Sequence, residues 1–197
     1  MNTSRLRLVA GPNGAGKSTF TEEVLKKYVN LGVYVNPDEI AKTVIGEELF
    51  RAKEAQQVAI RQREQLLREG QSMTYESVMS HPSHLDFLKR AKEKGYRTYL
   101  YFIGVQSPSI SEDRVKEREK NGGHGVPKEK IAPRYNRVMN QLSEACNLVD
   151  RAYIFDNSIT YSLVAEIHNY HLSIHSDNPA TQLSWVKKYL FEKLNEK

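Results

Sequence analysis

Residues 9–20 read VAGPNGAGKSTF, and the segment Gly11 to Ser18 fits G-x-x-x-x-G-K-[ST] at every defined position. The flanks agree with it. Residues 5–10 read as a buried strand and residues 17–28 as a helix, which is the context in which this pattern holds a phosphate. Gly11, Gly14 and Gly16 let backbone N–H groups converge on an anion, with Pro12, Asn13 and Ala15 completing the loop. The helix start at Lys17, Ser18 and Thr19 adds its positive end. Lys17 is expected to reach the β- and γ-phosphates and Ser18 to ligate Mg²⁺, so the cofactors implied are ATP and Mg²⁺.

Outward from this loop the chain alternates. Further strands are predicted at residues 32–35, 72–76, 97–105 and 152–155. Helices are predicted at 51–69, 82–94, 127–149 and 181–194, with one unassigned element over 161–174. Strands alternating with helices imply a mostly parallel sheet covered on both faces. The expectation is a three-layer α/β P-loop NTPase/kinase fold over residues 1–197 as a single domain, with five to six strands. A helical lid is expected at about 109–127 and a C-terminal extension at about 160–197.

The chain has 197 residues, enough for a sizeable core, and a formal net charge of +5 that suits an anionic ligand. It has no apolar run of membrane-spanning length, and its N-terminus does not read as a signal peptide. A single cysteine, Cys146, excludes an internal disulfide and suits a reducing cytoplasm. It falls on an apolar helical stripe with Val138, Leu142 and Val149, so packing explains it.

The same loop occurs in transporter ATPases and in small kinases. A transporter ATPase also needs an LSGGQ-type signature and an apolar strand ending in Asp-Glu. Neither is present: the strongest strand, RTYLYFIGV, ends in Gly104-Val105-Gln106. In parallel sheets of this kind ligands lie beyond the carboxyl ends of the strands. There the chain offers Asp38 in VYVNPDEIA and Glu76 in YESV. Asp38 is placed to deprotonate an acceptor hydroxyl near the γ-phosphate, or else to cap the helix that follows. Glu76 is placed to bind substrate hydroxyls, with a helix start at Ser77 or Ser80 as the structural alternative.

Residues 109–121 follow the fourth main strand and are highly charged. The bland reading is a solvated, salt-bridged face. As a lid, the section brings Arg114 and Arg118, four residues apart, over the transferring phosphoryl group. Gly122, Gly123 and Gly125 flank His124 in a turn that could present an imidazole, and Arg134 lies on the polar side of the next helix.

The ordered set GPNGAGKST, VNPDEIA, YESV, DRVKEREKNGGHGVP, RYNRV and FDNS resembles the zeta-toxin family of P-loop kinases, in particular small zeta-like proteins labelled "predicted ABC-type ATPase". The resemblance spans roughly residues 6–157. It implies transfer of the ATP γ-phosphoryl group to a sugar hydroxyl of UDP-N-acetylglucosamine. The family's catalytic acid falls on Asp38, its P-loop residues on Lys17 and Ser18, its substrate-binding glutamate on Glu76, and its first lid arginine on Arg114 or Arg118. A second family arginine, in an A-R-x-x-P setting, is replaced here by His124 in GHGVP, a weaker phosphate partner at neutral pH, and Arg134 could substitute. The family's toxins pair with an antitoxin, of which this sequence gives no sign. Asp156 and Asn157 fall near the nucleotide base by resemblance, or cap a following helix.

Two further readings stay open: a nucleic-acid 5′-hydroxyl kinase, and a nucleotide-gated binding module. Nucleic acid is disfavoured because Trp185, Lys187 and Lys188 make a sparse basic track and strand burial explains Tyr96, Tyr99 and Tyr101. His81 with His84, and His168 with His171 and His175, have helical metal-ligand spacing but no supporting carboxylate cluster.

Overall fold

A computed structural model describes residues 3–195 except 124, 170 and 176. Strand β1 (Arg5–Ala10) lies at the centre of the sheet, with Leu6, Leu8, Val9 and Ala10 fully buried. It feeds the phosphate loop and helix α1, residues 17–28, whose central turn Phe20–Leu25 is π-helical. β2 (Val33–Val35) leads into α2 (Pro37–Thr43) and the long α3 (Glu48–Glu69). β3 (Met73–Ser77), α4 (Ser83–Glu93) and β4 (Arg97–Gly104) follow. The charged section is helix α5 (Pro108–Lys120), succeeded by α6 (Lys128–Leu148) and β5 (Arg151–Asp156).

The strand order is β2-β3-β1-β4-β5, all parallel, followed by β6 (Ser162–His168) and β7 (His171–Ile174), both antiparallel. The sheet therefore has seven strands among the described residues, against the five to six expected. The difference lies in β6 and β7, which pair antiparallel with each other. His168 and His171 are cross-strand partners there, so their spacing is that of paired strands and not of a helical metal site. Among the described residues no group of three or more His, Cys, Asp or Glu could hold a metal. None of the described helices is long and apolar enough to cross a membrane.

Strand periodicity sorts the core. Leu8, Leu100, Phe102 and Ile154 face α4, α6 and the C-terminal helix α7 (residues 184–195), which contribute Leu88, Leu142 and Trp185. Cys146 is buried in this layer, and burial raises its thiol pKa well above the usual range. Removing such a layer from water stabilises by roughly 25 cal/mol per Å² of apolar surface. The opposite face of the sheet receives α1, whose Phe20 packs on Tyr101, Phe155 and Tyr161.

Candidate active site

The loop between β1 and α1 is held from outside. Asn157 Nδ2 donates to Ala15 O at 2.9 Å, and Tyr161 OH donates to Gly16 O at 2.7 Å. Gly16 is in the left-handed region (φ 89°), and a Cβ there would sit 2.6 Å from Tyr161 OH and 2.7 Å from Asn157 Nδ2. Glycine is required twice over, by conformation and by these two braces. Above the loop, Arg114 Nη2 donates to Ser158 O at 3.0 Å and Nη1 to Gly14 O at 3.5 Å. Arg114 thus ties the lid helix to both walls of the nucleotide end.

Lys17 folds back onto its own loop, donating to Pro12 O at 2.9 Å and Gly11 O at 3.1 Å. Burial lowers the pKa of its ammonium, partly offset by the charges of Glu76 and Asp38. A cation enclosed among carbonyls beside two carboxylates is poised to take up phosphate oxygens.

Glu76 is 5 % exposed and collects four donors. Its Oε2 accepts from Ser18 Oγ at 2.7 Å and Asn36 Nδ2 at 3.4 Å. Its Oε1 accepts from Thr21 Oγ1 and Tyr34 OH, each at 2.6 Å. Burial first, and then the neighbouring glutamate, push the Tyr34 phenol far above its ordinary pKa. The carboxylate therefore turns toward Ser18 and α1 instead of the open cleft expected for a binder of substrate hydroxyls. The helix start offered as its alternative is also not seen: α4 begins beyond Pro82 without a side-chain cap.

Asp38 sits one strand over, at the start of α2. The cap of that helix is Asn36, whose side chain accepts from Asp38 N at 2.9 Å, with Pro37 in the first turn. The Asp38 carboxylate is therefore free of capping and more than half exposed, and Arg118 Nη1 approaches its Oδ2 at 3.9 Å. The two lid arginines are thus separated by role: Arg114 meets the phosphate loop and Arg118 meets the carboxylate. Arg134 is partly buried, and burial and the nearby Arg137 lower its pKa, but no hydrogen bond or ion pair joins it to the other site residues described. His124 lies outside the described residues.

Asp156 neither caps a helix nor faces the nucleotide end. It accepts from Ser158 N, Ser158 Oγ and Trp185 Nε1, the last at 2.9 Å, and the chain runs on into β6. Gly104 makes room for the Trp185 ring. Ser158 Oγ in turn accepts from Gln106 N where β4 gives way to the lid. Sequence reasoning missed Tyr34, Thr21, Asn36 and Tyr161. Asn36 carried a signal, since Asn before Pro at a helix start is a cap pattern. Tyr161 lay in the unassigned segment and carried none.

The donor set suits Mg²⁺: a hydroxyl and a carboxylate, hard oxygens 2.7 Å apart, beside the phosphate loop. A small cation that keeps several waters needs few protein ligands.

Phosphate loop, parallel sheet, switch-point carboxylates and a lid carrying arginines define a protein of P-loop kinase fold. A model of the zeta toxin family matches residues 3–168, and the chain belongs to that family. An uncharacterized protein of Haemophilus influenzae is 29% identical over 129 residues, which is 64% of this chain and 88% of that protein. The AvrRxo1-ORF1:AvrRxo1-ORF2 structure with sulphate ions matches with a TM-score of 0.71 and 17% identity over 92% of this chain and 64% of that one. The chain thus spans a little under two thirds of that neighbour's length. The PezAT chromosomal toxin–antitoxin system of Streptococcus pneumoniae matches with a TM-score of 0.58 and 15% identity over all of this chain and 84% of that one.

Proposed function

We propose that the protein transfers the γ-phosphoryl group of ATP to a hydroxyl of a small molecule, with a UDP-sugar such as UDP-N-acetylglucosamine as the acceptor to test first. The observation that carries this reading is the convergence of three strand ends. β1 brings Lys17 and Ser18, β2 brings an uncapped Asp38, and β3 brings Glu76 against Ser18.

In the proposed reaction the backbone of residues 11–19 and Lys17 hold the phosphates. Ser18 and Glu76 hold Mg²⁺ directly or through water, and the ion, when bound, neutralises phosphate charge. Asp38 takes the proton of the acceptor hydroxyl. The hydroxyl oxygen forms the new bond to the γ-phosphorus as its bond to the bridging oxygen breaks, and ADP leaves. Arg118 neutralises charge on the transferring group from the lid, Arg114 fixes the lid to the loop, and Arg134 and His124 remain candidates for a further cation. Membership of the family extends the proposal to a protein partner of the antitoxin kind.

The test is to follow γ-labelled ATP with Mg²⁺ against UDP-sugars, free sugars, nucleosides and 5′-hydroxyl RNA. Label on a UDP-sugar supports the reading in full. Label on RNA moves the protein to the end-kinase class. Release of free phosphate with every acceptor rejects all the acceptors offered.

A further inference from the structure

The pairing of the strands places an unusual set of side chains on the face of the sheet that carries α1. Partners in register share a face, so one row across the sheet reads Arg7, Tyr99, Arg151, His168. The next row toward the nucleotide end reads Val9, Tyr101, Tyr153, Glu166. On the far side of the first row, Arg5 stands beside Arg97. Helices α4, α6 and α7 cover the other face. On this one the ring contacts from α1 come from Phe20, near the carboxyl ends of the strands, and exposure rises from β1 outward to β7.

Rings and guanidinium groups interleave here. Tyr101 and Tyr153 stack at 5.1 Å with planes 10° apart, and the Arg7 guanidinium lies 5.4 Å from the Tyr99 ring centre. Arg7 is 4 % exposed, yet its Nε and Nη1 have no hydrogen-bond partner. Burial lowers its pKa, offset in part by the neighbouring Tyr101, to which it is hydrogen-bonded, and by Tyr99. The register places two acids on this face, both in the second row: Glu76, buried and bonded to Ser18, Thr21 and Tyr34 at the nucleotide end, and Glu166, which His175 approaches at 3.1 Å. Among the described residues no ion pair joins Arg5, Arg7, Arg97 or Arg151 to a carboxylate.

We propose that the open part of this face binds single-stranded nucleic acid, phosphates on Arg5, Arg97 and Arg151 and bases against Tyr99 and Tyr153. Charge and shape select this occupant. Exposed Arg5 and Arg97 and the partly exposed Arg151, beside the partly exposed rings of Tyr99 and Tyr153, match a chain of phosphates and π-faces. A protein partner would need an apolar centre, and the exposed positions of β4, β5 and β6 on this face offer little aliphatic surface. Of the tyrosines that strand alternation explained as core, Tyr96 and Tyr101 are buried, and Tyr99 is partly exposed on this face. The site is remote from Asp38 and the phosphate loop, so it stands or falls independently of the phosphoryl-transfer reading.

The experiment needs no ATP. Fluorescence anisotropy of labelled oligouridylate and oligodeoxythymidylate, titrated with the full chain at about 50 and 200 mM salt, reads binding and its salt dependence. The expected result is binding that weakens steeply with salt. Tyr153→Ala should weaken it about fivefold or more, and Arg151→Gln should lower the salt slope by about one. Both side chains are partly exposed, so both variants should keep the wild-type circular dichroism. Preference for one oligonucleotide assigns RNA or DNA as the source. The proposal is overturned if neither oligonucleotide binds at low salt, or if both variants bind as wild type does. Binding of polyglutamate in place of oligonucleotides would also overturn it and make the face a protein surface.

Discussion

Arg118 Nη1 lies 3.9 Å from Asp38 Oδ2, joining the lid to the carboxylate at the end of β2. Both side chains are substantially exposed, so the pair adds little to stability. In the proposed reaction its value lies in position, with Asp38 on the acceptor hydroxyl and Arg118 on the transferring phosphoryl group. Arg118→Ala is expected to lower kcat by about 10²- to 10³-fold with a small change in KM for ATP. Arg114→Ala, which releases the lid from Gly14 and Ser158, should instead raise that KM. Steady-state kinetics on the two variants separates the roles, and equal effects on both parameters would refute the division.

Asp38→Asn should retain ATP binding and lose phosphoryl transfer by about 10²- to 10⁴-fold. Asn36, not Asp38, caps α2, so the fold has no reason to suffer. Calorimetry with ATP and a single-turnover assay check the two halves. Full activity would remove Asp38 from the role of base.

Trp185 donates to Asp156, which shapes the turn leading to Asn157 and the loop brace. Trp185→Phe keeps the ring and removes the donor. The expected outcome is a several-fold rise in KM for ATP, unchanged kcat, and about 1–2 kcal/mol lost from stability. The protein has one tryptophan, so its fluorescence should also report ATP binding in the wild type. An unchanged KM would show that the turn holds without this bond.

His84 lies between α3 and β3, with Arg63 Nη1 at 3.3 Å from its Nδ1 and Ser77 Oγ at 2.9 Å from its Nε2. Burial, then Arg63 and His81, push its pKa down to about 3. The unfolded chain takes up a proton near pH 6.5, and the folded chain only near 3. Stability therefore falls as pH drops through that window and is unaffected above it. Between pH 6.5 and 5 the loss should be about 1–2 kcal/mol. Urea denaturation of wild type and His84→Gln should show that part of the pH dependence vanish in the variant.

Much of the fold could be read from residue order because local signals agreed with the tertiary result. Residues 5–10 and 17–28 stand where the periodicity and the glycines put them. Residues 161–174 did not yield, because short polar strands with a histidine repeat also fit a helical spacing. Pairing with β5, a long-range event, decides the matter. At the site, residue types located Lys17, Ser18, Asp38 and Glu76 near one another. They could not reveal that Glu76 spends its oxygens on Ser18, Thr21 and Tyr34, because Tyr34 comes from another strand. Tyr99 and Tyr101 were legible as alternating, but not that Tyr99 is partly open to solvent while Tyr101 lies under Phe20, since no sequence pattern tells how far a helix covers a sheet face.

The bonds to Ala15 O and Gly16 O come from residues 142 and 145 positions later in the chain. On the ribosome, the glycine loop emerges early and Asn157 and Tyr161 emerge late. A nascent chain therefore carries an unbraced loop through most of its synthesis. Nucleotide capture is deferred until β5, β6 and the tryptophan behind them are in place. Truncated chains, even long ones that fold in part, should hold nucleotide weakly, so premature termination yields an inert product instead of an unregulated one.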